Sequence, residues 1–515
     1  MDYSKNTLNH YTMNYPALIK MLELIRSSGR EEKRIQSQLA TYDFVRLCFV
    51  DLNGIHLSKL VSTKYAKKII DGQCEMYAGM ITFGPRMEVV DVPKVVERKH
   101  VNGHLHPDFS TLHPCPWAGS LNRNISYPNP EAAPTYKVCA VLCDMHWPEG
   151  DAMQAHPRVV VKRLLQELEE KHKLTLYSAF EPEFRAFKVE TMAPSCANPN
   201  SSTTPLEDPP ADPVPFTLGE DMYKTSLLAE YESFFMDVDT RVREIGIEVQ
   251  DYSNENGAGQ LECPLIPKVG LQAADHYFIL KQILKEIGLQ HNMGVSFMTT
   301  PFQEGTSSGC HYNHSLWNVE TGTNAFYDAK SPDNLSKVAH HWIGGLMAHL
   351  PAILAFCSPT VNCYRRLHKK LAPDAVNWDI NDRFVAVRVK NTDEKRTYIE
   401  NRIPSSASCS YHVMAATIAA GMDGIERKLE PPAPGQKPVD RKATATCKLL
   451  PHTLQEALTE LRADEPLVKR LGEEFVDWFV QNKERGDLHT LGKVDVGKNS
   501  GWDLAFERNE YLFYI

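Results

Sequence analysis

Residues 178–187 read S-A-F-E-P-E-F-R-A-F. An apolar run of this kind predicts a strand, yet it carries Glu181 and Glu183 with only a proline between them. Successive strand side chains alternate between faces, so both carboxylates share one face. Two like charges that close repel unless positive charge lies between them. The stretch therefore confines the chain to folds containing a sheet with one apolar face and one polar face that gathers cations.

The rest of the composition narrows the class. A chain of 515 residues is long enough for two or more domains with a sizeable core. Its formal net charge of −9 gives no general attraction to nucleic acid or to an anionic membrane. No window of about 18 apolar residues marks a membrane span, and the N-terminal M-D-Y-S-K-N-T-L-N-H-Y lacks the apolar centre of a signal peptide. The 12 cysteines are scattered without a C-x-x-C pair, which suggests free thiols in a reducing compartment. The expectation is a soluble, cytoplasmic protein with neither nucleic-acid nor membrane partners.

Along the chain, residues 1–35 read as a polar helical extension. Two alternating runs flank D-L-N-G (Asp51 to Gly54), the signature of a β-hairpin with a glycine turn. K-V-C-A-V-L-C-D-M predicts a strand over 137–145. His156-Pro157 predicts a helix start, because proline suits the first helical turn. Seven prolines fall in 190–217, which reads as a surface loop or insertion. Helices are predicted over 222–244, 271–288, 333–356, 411–428 and 453–485. Strands are predicted at M-G-V-S-F-M-T-T-P-F, G-C-H-Y-N-H-S-L-W-N, F-V-A-V-R-V-K and T-Y-I-E-N-R-I-P. A large mixed sheet lined by polar side chains fits this order.

Further polar residues fall on the same kinds of element. Glu255 and Glu262 flank a glycine-rich bend, E-N-G-A-G-Q-L-E. His311 follows a Ser/Gly loop, and Glu400 shares a strand face with Arg402. Five carboxylates and one imidazole could hold two or more divalent cations, and oxygen-rich ligands favour Mg²⁺ or Mn²⁺ over zinc. Each residue also has an ordinary reading: a solvent-facing strand glutamate, or a satisfied polar histidine. Spacing alone does not assemble residues spread over such a length of chain.

The motifs do so together. H-P-D-F-S-T-L-H-P-C-P-W, E-P-E-F, E-N-G-A-G-Q-L-E, G-C-H-Y-N-H-S-L, T-V-N-C-Y-R-R-L and I-E-N-R-I-P resemble, in order, motifs of the class I glutamine synthetases, and the resemblance runs from about Thr41 to Ile515. The resemblance implies an α+β fold. A β-grasp domain (36–140) would follow the helical extension (1–35) and precede a catalytic domain (141–515) with an antiparallel half-barrel. It implies ATP as substrate, Mg²⁺ or Mn²⁺ as cofactor, and glutamate joined to ammonium or another amine through an acyl phosphate. It implies a homo-oligomer of stacked rings, a dodecamer or similar, with sites between subunits.

Carried over residue by residue, Glu183, Glu255 and Glu262 would hold one metal, and Glu181, His311 and Glu400 the other. Arg366 and Arg402 would bind glutamate's carboxylates, with Thr306 and Ser307 in the substrate loop. Arg383 and Arg388 would stabilise phosphate. Asn313, Ser315 and Arg396 would contact the nucleotide. Asp51 would help deprotonate ammonium, although a turn aspartate before Asn-Gly is an equally natural role.

Four departures stand out. Thr306-Ser307 replaces the family's Asn-Gly in the substrate loop. Leu371 falls at or near the flap glutamate that takes a proton from ammonium. Tyr398 replaces an arginine, with Arg396 two residues back on the expected strand face. Asn313 replaces the second histidine of an H-x-H pair. An altered amine site beside a complete metal cage resembles both γ-glutamyl ligases acting on larger amines and lengsin, a retired member with a structural or chaperone role on cytoskeletal filaments. The C-terminal L-Q-E-A-L-T-E-L and E-R-N-E-Y-L-F-Y-I resemble lengsin's in particular.

Overall fold

The structure is a computed structural model, described here for residues 30–118, 135–191, 212–218, 222–367, 372–436, 447–491 and 501–515. Most of the expected helical extension and of the proline-rich segment lies outside these residues. The chain divides into two compact units. One takes the described residues up to Leu47, with Lys59–Cys74 and those of Leu105–Cys143; the other takes Cys48–Ser58, Glu75–His104 and those from Asp144 to Ile515.

Among the described residues, fifteen strands form two sheets. The first sheet contains β1 (Phe44–Val50), β2 (His56–Ser62), β3 (Cys74–Tyr77), β4 (Asn102–Pro107), β5 (His113–Pro114) and β6 (Val138–His146), in the order β2-β1-β6-β4-β3 with β5 on β6. The turn between β1 and β2 is the expected D-L-N-G, with Gly54 at φ +78°. A side chain would be strained there, and a Cβ would meet that of Cys409 at 2.7 Å.

The second sheet is built on β7 (Leu174–Lys188). Around it lie β8 (Ser253–Asn254), β9 (Gln260–Glu262), β10 (Lys268–Val269), β11 (Met293–Ser296), β12 (Cys310–Asn318), β13 (Trp378–Ile380), β14 (Val387–Asn391) and β15 (Thr397–Asn401). The order is β13-β14-β15-β12-β7-β9-β8, with β10 and β11 also on β7. The β13–β14 pair is parallel and β7, β12, β14 and β15 pair antiparallel, so the sheet is mixed.

β7 obeys the period of two. Leu176, Phe180 and Phe184 point into the core, and the Phe180 ring stacks on Tyr277 at 4.9 Å between centroids. Tyr277 belongs to the helix Leu271–Gln290, which covers that face. Burying each phenylalanine stabilises the unit by roughly 2–3 kcal/mol. Glu181, Glu183 and Arg185 take the opposite face.

Helices Pro157–His172, Lys337–Cys357 and Ser410–Arg427 agree with the predicted periodicity within a few residues. Three elements differ. The predicted helix over 453–485 is three helices, Leu454–Ala463, Glu465–Leu471 and Glu473–Asn482. Pro466 starts the second, and Gly472 at φ +98° ends it. The predicted helix over 222–244 is a short turn, Thr225–Leu228, followed by Glu232–Glu244. The strand expected from Phe384 begins at Val387, which leaves Arg383 in a turn.

Candidate functional site

Strand register brings most of the predicted polar residues together. Glu181 pairs across β7–β12 with His311, and Asn313 pairs across β12–β15 with Glu400. Glu400 pairs in turn with Arg388 on β14, and Glu183 pairs with Glu262 on β9. The residues thus form a row across five adjacent strands. Long-range strand pairing does what sequence spacing could not.

One cluster is compact. A ligand atom from each of Glu181, His311 and Glu400 lies within 4.8 Å of the others. His311 Nδ1 is 3.5 Å from a carboxylate oxygen of both glutamates. Burial pushes the Glu181 carboxyl up, but His311 and Asn313 bring it below its ordinary range. Asn313, expected at the nucleotide, donates its amide to Glu181 at 2.6 Å. Buried Glu400 accepts from Arg388 at 3.0 Å and from Arg402 through its other oxygen.

The second group is electrostatically strained. Burial and the nearby Glu183 push the Glu255 carboxyl up to about 7. Burial, Glu183 and Glu255 push that of Glu262 up to about 9. Carboxylates hold protons so tightly only where negative charge is crowded and partly desolvated. A bound cation relieves that cost, and a donor set of carboxylate oxygens and one imidazole suits a hard divalent ion. The geometry of Glu181, His311 and Glu400 therefore fits a hard divalent ion, and a cation would relieve the crowding at Glu255 and Glu262.

A cavity of about 550 Å³ opens beside them. Glu183, Glu255 and His311 line one side, and Arg366, Arg383 and Arg402 another. Thr306 and Ser307 close it. Arg366 is buried, and its guanidinium donates to the carbonyls of Ile403 at 3.2 Å and Arg402 at 3.0 Å. Ser307 Oγ accepts from Thr300 Oγ1 at 2.8 Å, and Thr306 Oγ1 donates to Gln260 at 2.6 Å.

The remaining candidates are placed differently. Ser315 accepts from the Trp317 indole at 2.9 Å. Arg396 is not on the strand face expected for it. It sits in the helical turn Glu394–Arg396, is exposed, and pairs with Asp393 at 2.5 Å, because β15 begins only at Thr397. Tyr398 is on the strand, under the Lys390 ammonium at 5.2 Å. Leu371 lies outside the described residues. Asp51 is buried in its own turn, accepting from the backbone of Asn53 at 2.9 Å and of Ile55 at 2.7 Å. Burial pushes its carboxyl up to about 6.

Three positioning residues escaped the sequence reading. Gln260 donates to Glu183 at 2.6 Å while its carbonyl accepts from Gly257 N–H and Thr306. Arg185, buried on the Glu181–Glu183 face, donates to the carbonyls of Ala258 at 2.6 Å and Thr306 at 2.5 Å. Gly257 leaves the room, since a Cβ there would meet the Arg185 guanidinium at 2.4 Å. Tyr223 hydrogen-bonds Glu255. The period-two rule, extended one step from Glu183, would have found Arg185.

Residues 154–493 match the family described as glutamine synthetase, catalytic domain. The chain belongs to the glutamine synthetase family, a ligase family that generally uses ATP and divalent cations and is generally oligomeric. Glutamine synthetase of Thermotoga maritima is 28% identical over 449 residues, covering 86% of this chain and 92% of that protein. Lengsin of Rattus norvegicus is 28% identical over 500 residues, covering 94% of this chain and 79% of that protein. A solved structure described as a novel glutamine synthase homolog superposes with TM-score 0.72 at 22% identity, covering 91% of this chain and 98% of the other. Ligand-free GmaS superposes at 0.71 with 24% identity, covering 90% and 96%. These two likenesses establish the α+β glutamine synthetase fold. Among the described residues no helix is long and apolar enough to cross a membrane.

Proposed function

We propose that the chain is an ATP- and divalent-cation-dependent ligase that joins the γ-carboxylate of glutamate to an amine through an acyl phosphate. The observation that carries this reading is the row of Glu262, Glu183, Glu181, His311 and Glu400 across adjacent strands, beside a cavity walled by arginines. Glu183, Glu255 and Glu262 would hold one cation, and Glu181, His311 and Glu400 the other. Cations held there would screen phosphate charge and favour an in-line transfer.

The chain's own residues do the rest. Arg366, its guanidinium fixed on two carbonyls, pairs with a carboxylate of glutamate. Arg402 assists it, and Thr306 and Ser307 close the substrate loop. Arg383 at the cavity wall and Arg388 beside Glu400 balance charge that develops on the transferred phosphoryl group. Asn313 aligns Glu181, and with Ser315 it forms the nucleotide side. The domain division (36–140 as a β-grasp domain, 141–515 as the catalytic domain), a stacked-ring homo-oligomer and a cytoplasmic location belong to the same reading. Asp51 is then the proton acceptor for the incoming amine in an assembly whose hairpins reach neighbouring cavities.

Phosphate release with ATP and glutamate, across ammonium, methylamine and putrescine, tests the proposal. Amine-dependent release is expected, and its absence with every amine would count against a working ligase. A second reading, a lengsin-like oligomer acting on cytoskeletal filaments without turnover, is favoured by the span of lengsin similarity, 94% of the chain. It predicts assembly and filament co-sedimentation with no phosphate release.

A further inference from the structure

A second cavity, of about 530 Å³, lies away from the carboxylate row. Its size falls in the range of small-molecule sites. One wall is the hairpin turn from Asn53 to His56, and another is the helix Leu271–Gln290. The His56 ring stacks flat on Phe278 at 4.6 Å, giving an aromatic floor. Leu289 and Phe513 stand at the rim with 55% and 52% of their surface exposed, unusual for side chains of that size.

Two cations, Lys281 and Lys285, and one carboxylate, Glu286, line this largely apolar space. Lys281 and Lys285 are one helical turn apart and half-buried. Like charges at that spacing are mutually unfavourable. Lys281 reaches ring faces, with its ammonium 4.7 Å from the Phe297 centroid and 5.8 Å from that of Tyr277. Lys285 donates to the Tyr514 carbonyl at 3.1 Å. Neither makes an ion pair with a carboxylate among the described residues. Burial, with the neighbouring Lys281, pushes the Lys285 ammonium down to about 7. Paired cations in a part-apolar cavity are costly unless an anion joins them.

We propose that this cavity binds a small amphipathic carboxylate, its acid group on Lys281 and Lys285 and its aromatic or aliphatic body against Phe278, Leu289 and Phe513. The two ammonium groups are point charges without a guanidinium fork, which suits a compact monoanion with an apolar body. The ligand would also brace the hairpin turn that carries Asp51. The inference stands independently of the ligase reading, since it uses none of the carboxylate row.

The test is calorimetry on the full chain with phenylbutyrate, and with phenylbutanol as its uncharged counterpart. Saturable binding of the acid, at least about tenfold tighter than the alcohol, is expected. Lys285→Met should weaken the acid by about tenfold or more with an unchanged thermal melt. If that variant fails to fold, Leu289→Glu, at an exposed rim position, should produce the same loss by repulsion. Equal affinity for acid and alcohol, or unchanged acid binding in the folded variants, overturns the proposal. So does an absence of acid binding in a protein whose assembly Leu289→Glu breaks down in light scattering, which would assign the face to a second copy of the chain.

Discussion

Glu183 on β7 stands directly opposite Glu262 on β9, carboxylate against carboxylate in the sheet register. Like charges in that position destabilise a sheet. Gln260 and the Gly309 amide orient Glu183, and Arg185 and Arg366 offset its charge, yet Glu262 still has Glu183 and Glu255 as like-charged neighbours. The strand pair is therefore built for a third, cationic partner. Glu262→Gln should raise the stability of the cation-free protein by about 1 kcal/mol at pH above 9. It should also abolish the melting-temperature rise that Mn²⁺ gives the parent. Differential scanning fluorimetry with and without Mn²⁺ reads both effects.

Gln260 links Glu183 to the substrate loop through Thr306. Residues that orient metal ligands typically carry one to two orders of magnitude in affinity. Gln260→Ala is expected to weaken Mn²⁺ binding about 10- to 100-fold, measured by electron paramagnetic resonance titration. An unchanged affinity would mean that Glu183 needs no orienting partner.

Arg366 is fixed by two carbonyls in a geometry a lysine ammonium does not reproduce. Arg366→Lys should lower kcat/KM for glutamate roughly 100-fold while leaving the KM for ATP nearly unchanged. Steady-state kinetics with each substrate varied in turn separates the two.

His412 is buried among the rings of Phe356, Phe475 and Phe479, and among the described residues neither of its nitrogens has a hydrogen-bond partner. Burial, with a smaller push from Lys483, lowers it to about 3. The sign follows from where the proton binds. Above pH 6.5 neither state is protonated and the histidine costs nothing; below it the unfolded chain takes a proton that the fold refuses. Its contribution is lost as pH falls toward the folded value. His412→Leu should therefore gain on the parent by about 2 kcal/mol between pH 8 and pH 5. Urea titrations at the two pH values measure the difference.

What the sequence made legible was local. D-L-N-G marked a hairpin turn, His156-Pro157 a helix start, and the E-P-E spacing a shared strand face. Each depends on a few adjacent residues. The meeting of Glu181 with His311, and of Glu400 with Arg388, depends on strand order and register, which spacing does not encode. Family motifs supplied that grouping in advance. Arg396 went astray because a strand was extended through a turn that Asp393 caps with its own carboxylate. Lys281 and Lys285 fall on the helix predicted over 271–288, and nothing in their spacing marks a cavity. Only the packing of the hairpin turn and the chain's final residues around them encloses the cavity.

The central claim is that glutamate is phosphorylated here, whichever amine follows. Positional isotope exchange in ATP labelled with ¹⁸O between its β- and γ-phosphorus atoms tests it directly, because the step needs no amine. With glutamate and Mg²⁺ present, the account predicts label scrambling that requires both and vanishes in Glu400→Ala. Scrambling that is absent, or equal with and without glutamate, would contradict it.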